Sequence, residues 1–183
     1  LLRFLILEGL SEGELLALLA EAKAHRVRDW LMILVGYRHG LRASEVVSLT
    51  PDNLRDGYLT IQRLKGSLRT TQPLFADPNP LLDERSGLND FTVGMLWNQR
   101  LFPITRVQFF RLFQKYAEAV GIPAHRRHPH VLKHTIALQT IPTAGIENVR
   151  QFLGHKSISS TGAYVRVSDA AASAAIQDAL RRV

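Results

Sequence analysis

Arg42, Lys65, His130, Lys133, His155 and Tyr164 are of the residue types that phosphoryl transfer needs, and each stands in a compact local setting. Arg42 follows a helix stop at Gly40, and Lys65 opens the turn Lys65-Gly66-Ser67. His130 and Lys133 belong to His128-Pro129-His130-Val131-Leu132-Lys133-His134, and His155 closes Leu153-Gly154-His155. Breaking a phosphodiester takes a nucleophile for phosphorus, positive charge for the nonbridging oxygens and a proton donor for the leaving oxygen. Tyrosine, arginine, lysine and histidine side chains can supply all three. Other routes lack their residues. The chain has no Gly-rich phosphate loop, no Gly-x-Ser-x-Gly elbow and no paired-carboxylate cluster that would hold a magnesium ion. His130 and His134 have the i, i+4 spacing of a zinc site. The glutamate of a His-Glu-x-x-His site is missing between them and no third ligand is evident, so no metal and no cofactor are expected.

The elements that must carry these residues read as mostly helical. Ser11-Glu12-Gly13-Glu14 has the form of a capping box, and the leucines after it recur at helical spacing, which predicts a helix over Glu12–His25. Asp29 is placed to cap a second helix that runs to about His39 and stops at Gly40. That helix is apolar almost all round, so it belongs in the core. A short helix follows through Ser44, Glu45, Val46 and Val47. The period then changes: Asp56-Gly57 signals a hairpin, and strands are expected over Tyr58–Leu64 and Leu68–Leu74. Pro73, Pro78 and Pro80 end the sheet. Residues 81–96 are the least legible, with a helix ending near Asn89 or later. Ile104–Val120 is an amphipathic helix whose Phe109, Phe110, Leu112, Phe113 and Tyr116 face the core, closed by Gly121. Helices then run to the end, broken around Pro142 and Gly145, and the last covers about Asp169–Arg182. The expected fold class is mainly α with a small antiparallel β-sheet near residues 52–74.

The chain has 183 residues, 46% of them hydrophobic, which suits one domain with a real core. We read 1–183 as a single domain with a tail helix at about 170–183. No apolar run is long enough to span a bilayer and no signal peptide opens the chain, so no membrane partner is expected. The absence of cysteine excludes a disulfide framework and thiolate catalysis, and suits a cytoplasmic location. Lys plus Arg is 23 against 16 for Asp plus Glu, giving a net charge of +7, which fits a polyanion binder and equally a soluble protein that is simply basic. Four of the seven histidines fall between His125 and His134.

In combination these motifs resemble the catalytic domain of the tyrosine recombinases, the phage integrase family. Gly40-Leu41-Arg42-Ala43-Ser44-Glu45-Val46 resembles the family's first arginine box, with Glu45 supporting Arg42. Leu64-Lys65-Gly66-Ser67 looks like the hairpin whose lysine protonates the leaving 5′ oxygen. His130-Val131-Leu132-Lys133-His134 resembles the His-x-x-Arg box, with Lys133 where most members carry a second arginine. Leu153-Gly154-His155 is similar to the Leu-Gly-His box, and Thr161-Gly162-Ala163-Tyr164 to the nucleophile box, nine residues further on. The resemblance implies a metal- and ATP-independent enzyme. Tyr164 attacks one DNA phosphate, while Arg42, His130, Lys133 and His155 stabilise it, and a 3′-phosphotyrosyl link forms and is later resealed. His134 reads as a structural histidine. Arg63, Arg69, Arg106 and Lys115 are candidates for DNA contact. The implied partners are double-stranded DNA, further copies of this chain bound through the C-terminal helix, and accessory DNA-bending proteins. The family's N-terminal core-binding domain is expected to be missing from this chain. Two other readings use the same residues: a type IB topoisomerase-like enzyme, and a DNA-binding module that has lost catalysis.

Overall fold

The structure, a computed structural model, describes residues 8–62 and 69–155 together with residues 177 and 181. Ser11 starts the first helix: its hydroxyl accepts from the Glu14 N–H at 3.2 Å, while the Glu14 carboxylate accepts from the Ser11 N–H at 2.8 Å. These reciprocal bonds satisfy backbone donors that the helix itself leaves unpaired. Along α1 (Glu12–His25), Leu15, Leu18, Leu19 and Ala22 lie on one stripe and are buried, with α2 (Val27–Arg38) packed alongside. One extended residue, Arg26, separates the two helices.

The central element is α2, which packs against α1, α4 and α6 and whose Trp30 to Val35 are all buried. The expectation that Asp29 caps this helix is corrected. The helix begins at Val27, and Asp29 is buried inside its first turn, where it accepts from Arg28 Nε and from the Tyr116 hydroxyl, each at 2.7 Å. A buried carboxylate must be paired, and here a neighbouring cation and a distant phenol do so.

After the short α3 (Ala43–Val46) and a turn of 3-10 helix at Pro51–Asn53 come β1 (Leu54–Arg55), β2 (Tyr58–Ile61) and β3 (Thr70–Pro73). They form an antiparallel sheet in the order β1-β2-β3. Asp56 and Gly57 close the first hairpin with φ of 53° and 78°, as a two-residue loop of this hand requires. The register sets Leu59 opposite Gln72 and Ile61 opposite Thr70, and all four are buried, so β3 turns polar side chains inward. The expected strand ends Leu64 and Leu68, and the turn between them, lie outside the described residues.

The stretch that sequence left least legible holds α4 (Glu84–Thr92), begun by Asp83, whose carboxylate accepts from the Ser86 N–H. Gly87 lets this helix approach α2, since a Cβ there would lie 2.7 Å from the Trp30 ring. α5 (Arg106–Ala119) opens with a second capping box, Thr105 and Gln108, and buries Phe109, Phe113 and Tyr116. Phe110, expected in the core, is 40% exposed; one residue past Phe109, it points about 100° further round the helix. α6 (His130–Ala144) runs through Pro142 and stops at Gly145, where φ is 78°, before α7 (Ile146–Phe152). The break expected around Pro142 and Gly145 thus falls at Gly145. The proline stands inside the helix, three residues before Gly145, and supplies no N–H to the helical ladder there. The expected helix over 169–182 lies outside the described residues. Among the described residues no helix is long and apolar enough to cross a membrane.

Candidate active site

Two helix ends of the same design build the site. At the end of α2 the Gly40 N–H donates to Tyr37 O and the Leu41 N–H to Gly36 O, with Gly40 at φ 57°. At the end of α7 the Gly154 N–H donates to Gln151 O and the His155 N–H to Arg150 O, with Gly154 at φ 68°. Both are Schellman turns, in which a left-handed glycine reverses the chain and the next residues leave in a fixed direction. The first turn delivers Arg42 and the second delivers His155. The turns interlock, since a Cβ on Gly40 would fall 2.3 Å from Leu153 Cδ2.

Arg42 is then held by Glu45. The Glu45 carboxylate accepts from the Arg42 backbone N–H at 2.8 Å and from its guanidinium at 3.1 Å. Glu45 is buried while the Arg42 side chain remains 36% exposed, so a fixed anion aims a cation at solvent. His155 is buried, and Arg150 braces it by donating to the His155 carbonyl at 2.9 Å.

The third contribution comes from the start of α6. His130 is its first residue, and Lys133 and His134 follow one turn later. His130 and His134 meet edge to face with ring centroids 4.4 Å apart. Arg42, Ser44, Arg106, His128 and His130 share the wall of one cleft of about 290 Å³, with Phe110 at its side. Lys133 lies beneath that wall: it is only 2% exposed, and its Nζ donates to Leu153 O at 3.3 Å. This places its charge at the C-terminal end of α7, where a helix dipole favours a cation.

The histidines carry the imprint of this concentration of positive charge. Burial of the ring, then Lys133, His128 and Arg42, hold His130 below the usual imidazole value. Burial, then His130, His128 and Lys133, push His134 down to about 4. His128 is also lowered, chiefly by burial. Desolvation and nearby cations both disfavour the imidazolium form, so the site presents neutral imidazoles among fixed cations. Such a site gains from taking up an anion and has proton acceptors ready.

The structure thus brings Arg42, Glu45, His130, Lys133, His134 and His155 into one region at the ends of α2, α6 and α7. Tyr164, Lys65 and Arg63 lie outside the described residues. Arg106 shares the Arg42 cleft. Arg69 is exposed and lines a separate cleft between β3 and α7 with Asn148 and Gln151. Lys115 is elsewhere on α5, with its ammonium 5.7 Å from the Tyr116 ring. His128 and Ser44 were not singled out as site residues from sequence. The crowding of histidines before α6 was the available signal for the first, and its place in the arginine box Gly40–Val46 was the signal for the second. Among the described residues no group of three or more His, Asp or Glu is placed to hold a metal ion.

Residues 8–171 match the phage integrase family. The tyrosine recombinase XerD of Xanthomonas campestris pv. campestris is 31% identical over 180 residues, covering 88% of this chain and 55% of that relative. The crystal structure of XerH site-specific recombinase bound to difH substrate, a pre-cleavage complex, gives a TM-score of 0.75 at 19% identity and covers 92% of this chain and 53% of that one. The catalytic domain of bacteriophage HP1 integrase gives 0.66 at 23% identity and covers 92% and 93%. The chain has the fold of a tyrosine recombinase catalytic domain, and it belongs to the phage integrase family. It spans little more than half the length of its XerD relative.

Proposed function

We propose that this chain is the catalytic domain of a site-specific DNA recombinase that cuts and rejoins one strand through a phosphotyrosine on Tyr164. The observation that carries the reading is the joint placement of Arg42 and His130 in one exposed cleft, backed by Lys133 and His155. In the proposed reaction the Tyr164 hydroxyl oxygen attacks phosphorus and the P–O5′ bond breaks. His130, held neutral, takes the phenol proton, and Lys65 gives a proton to the 5′ oxygen. Arg42 and Lys133 balance the charge that gathers on the nonbridging oxygens, and His155 donates to one of them. A 5′ hydroxyl of a partner strand reverses the step, so no metal and no nucleotide cofactor is consumed. The partners in this reading are duplex DNA, with Arg63, Arg69 and Arg106 contacting its backbone, other copies of the chain joined through residues 170–183, and accessory DNA-bending proteins.

Burial narrows the choice of nucleophile. The Tyr37 hydroxyl donates to Gln139 and the Tyr116 hydroxyl to Asp29; both rings are buried, and burial pushes both phenols up. Tyr58 is 49% exposed on β2, so it is the rival to Tyr164. On a nicked suicide substrate, Tyr164→Phe should form no covalent adduct and bind DNA as wild type does, while Tyr58→Phe should still form the adduct. Adduct from the Tyr164→Phe protein would overturn the assignment.

A further inference from the structure

The two turns that deliver Arg42 and His155 are also joined through a buried hydrogen-bonded bridge. His39, the last residue before Gly40, is fully buried. Its Nδ1 lies 2.6 Å from Gln72 Oε1 and its Nε2 lies 2.9 Å from Glu84 Oε1. The Gln72 amide is oriented by its other end, where Nε2 donates to Phe152 O at 2.5 Å. Its oxygen therefore faces His39 and accepts from it. Phe152 O is one of the carbonyls that the end of α7 leaves without an intrahelical partner, and the next, Leu153 O, is taken by Lys133. Glu84 is itself anchored, accepting from the Phe75 N–H at 2.8 Å. Gln72 thus sits on β3, returns from the segment that holds Lys65, and touches the residue before the Arg42 turn at one end and the residue before the Leu153-Gly154-His155 turn at the other.

We propose that Gln72, with His39, is a positioning residue that sets the Arg42 turn and the His155 turn in register with each other and with the strand leaving the Lys65 segment. Apolar packing between these elements is non-directional, whereas a side-chain amide with one donor and one acceptor in use fixes distance and orientation together. His39 and Gln72 are buried, Gln72 and Phe152 border the cleft that holds Arg69, and the bridge acts on the reaction only through the residues that it holds. Its role in cleavage rests on the recombinase reading; its role in joining the turns does not.

The test uses the full chain with Gln72→Met and Gln72→Glu. The methionine variant keeps the length and loses both hydrogen bonds. Single-turnover cleavage at saturating nicked DNA should fall by about 10- to 100-fold, as displacements of an ångström or less can produce, while noncovalent affinity stays within about twofold. A glutamic acid, when protonated, has one donor and one acceptor, as glutamine does; when ionised, it still accepts from His39 but has no donor for Phe152 O and sets oxygen against oxygen there. The rate of Gln72→Glu relative to wild type should therefore rise as pH falls, whereas the Gln72→Met ratio stays flat. If Gln72→Met does not fold, the pH profile of Gln72→Glu decides alone. Hydrogen exchange without DNA is the second arm, and it should quicken in both variants at residues 39–42 and 152–155 together. Wild-type cleavage in the methionine variant, a flat Gln72→Glu ratio, or faster exchange confined to β3 would each overturn the proposal. Absence of any wild-type adduct would instead sink the recombinase reading, and the exchange arm would still decide whether the bridge couples the turns.

Discussion

Lys133 has two uses for one charge. It closes the C-terminal end of α7 through Leu153 O, and it lies close enough to the cleft to hold down the pKa of both His130 and His134. Lys133→Met keeps the stem and removes the ammonium that serves both uses, so stability reads the structural one and the cleavage rate per folded molecule reads the catalytic one. If the ammonium steadies a phosphate oxygen in the transition state, cleavage should slow by roughly 10²–10³-fold per folded molecule, while Lys133→Arg, which keeps the charge, stays active. Equal single-turnover rates for wild type and Lys133→Met would leave only the structural use. His134 allows a prediction of a different kind. Its folded value of about 4 lies below the ordinary histidine value, so the unfolded chain binds the proton more readily. Its contribution to stability is complete above about pH 6.5 and is lost as pH falls toward 4. Thermal melts across that range should show the wild-type Tm declining, with His134→Asn declining less. Paired carboxylates such as Glu14 and Asp83, both lowered by their hydrogen-bond partners, titrate in both proteins, so the difference between the curves isolates the histidine. A difference that stays constant with pH would remove the assignment.

At the scale of elements, the site depends on two turns that pack against each other although their residues are over a hundred positions apart. Gly40→Ala meets two penalties: a left-handed φ, about 1–2 kcal/mol, and overlap with Leu153 Cδ2, about 1–3 kcal/mol of overpacking. The variant should lose about 2–5 kcal/mol in denaturant unfolding. In a cycle with Leu153→Ala the double mutant should be more stable than the sum of the two losses allows, because the smaller side chain relieves the overlap. Strict additivity would mean that the turns do not interlock. Local chemistry of this kind was readable in the sequence. Ser11 with Glu14 announced α1, Asp56-Gly57 announced the hairpin, and Gly40 marked a stop just before a reactive motif. Helix starts and facings were less readable where a distant partner decides them. Nothing near Asp29 in the chain reveals that Tyr116 will claim its carboxylate, so its role as a cap was the natural local reading. Phe110 looked like core because its neighbours are, yet it sits at the rim of the Arg42 cleft. The bridge from His39 through Gln72 to Phe152 was invisible for the same reason: three unremarkable residues become a device only when β3, α2 and α7 meet.

For the whole molecule, a net charge of +7 says that polyanions will be attracted but not where they will lie. The fold distinguishes between basic residues that composition treats alike. Arg106 and Lys115 are both exposed on α5. Nine residues apart, they stand half a rotation from each other and about 13.5 Å apart along the axis. Arg106 shares the wall that holds Arg42 and His130, whereas Lys115 sits by Tyr116, against which His25 of α1 packs with ring centroids 5.1 Å apart. DNA that places a phosphate in the Arg42 cleft passes Arg106 and leaves Lys115 on the other side of the helix. Each phosphate contact releases condensed counterions, so losing one lowers the slope of log affinity against log salt by about one. Arg106→Ala should therefore weaken binding to a duplex of arbitrary sequence and flatten that slope by about one, whereas Lys115→Ala should leave both nearly unchanged. The double variant should then behave as Arg106→Ala alone. Binding titrations at several salt concentrations measure all of these. An equal loss from Lys115→Ala would mean that the duplex contacts the face of α5 turned away from the cleft, and that Arg42 and His130 do not meet its backbone in the way the cleft implies.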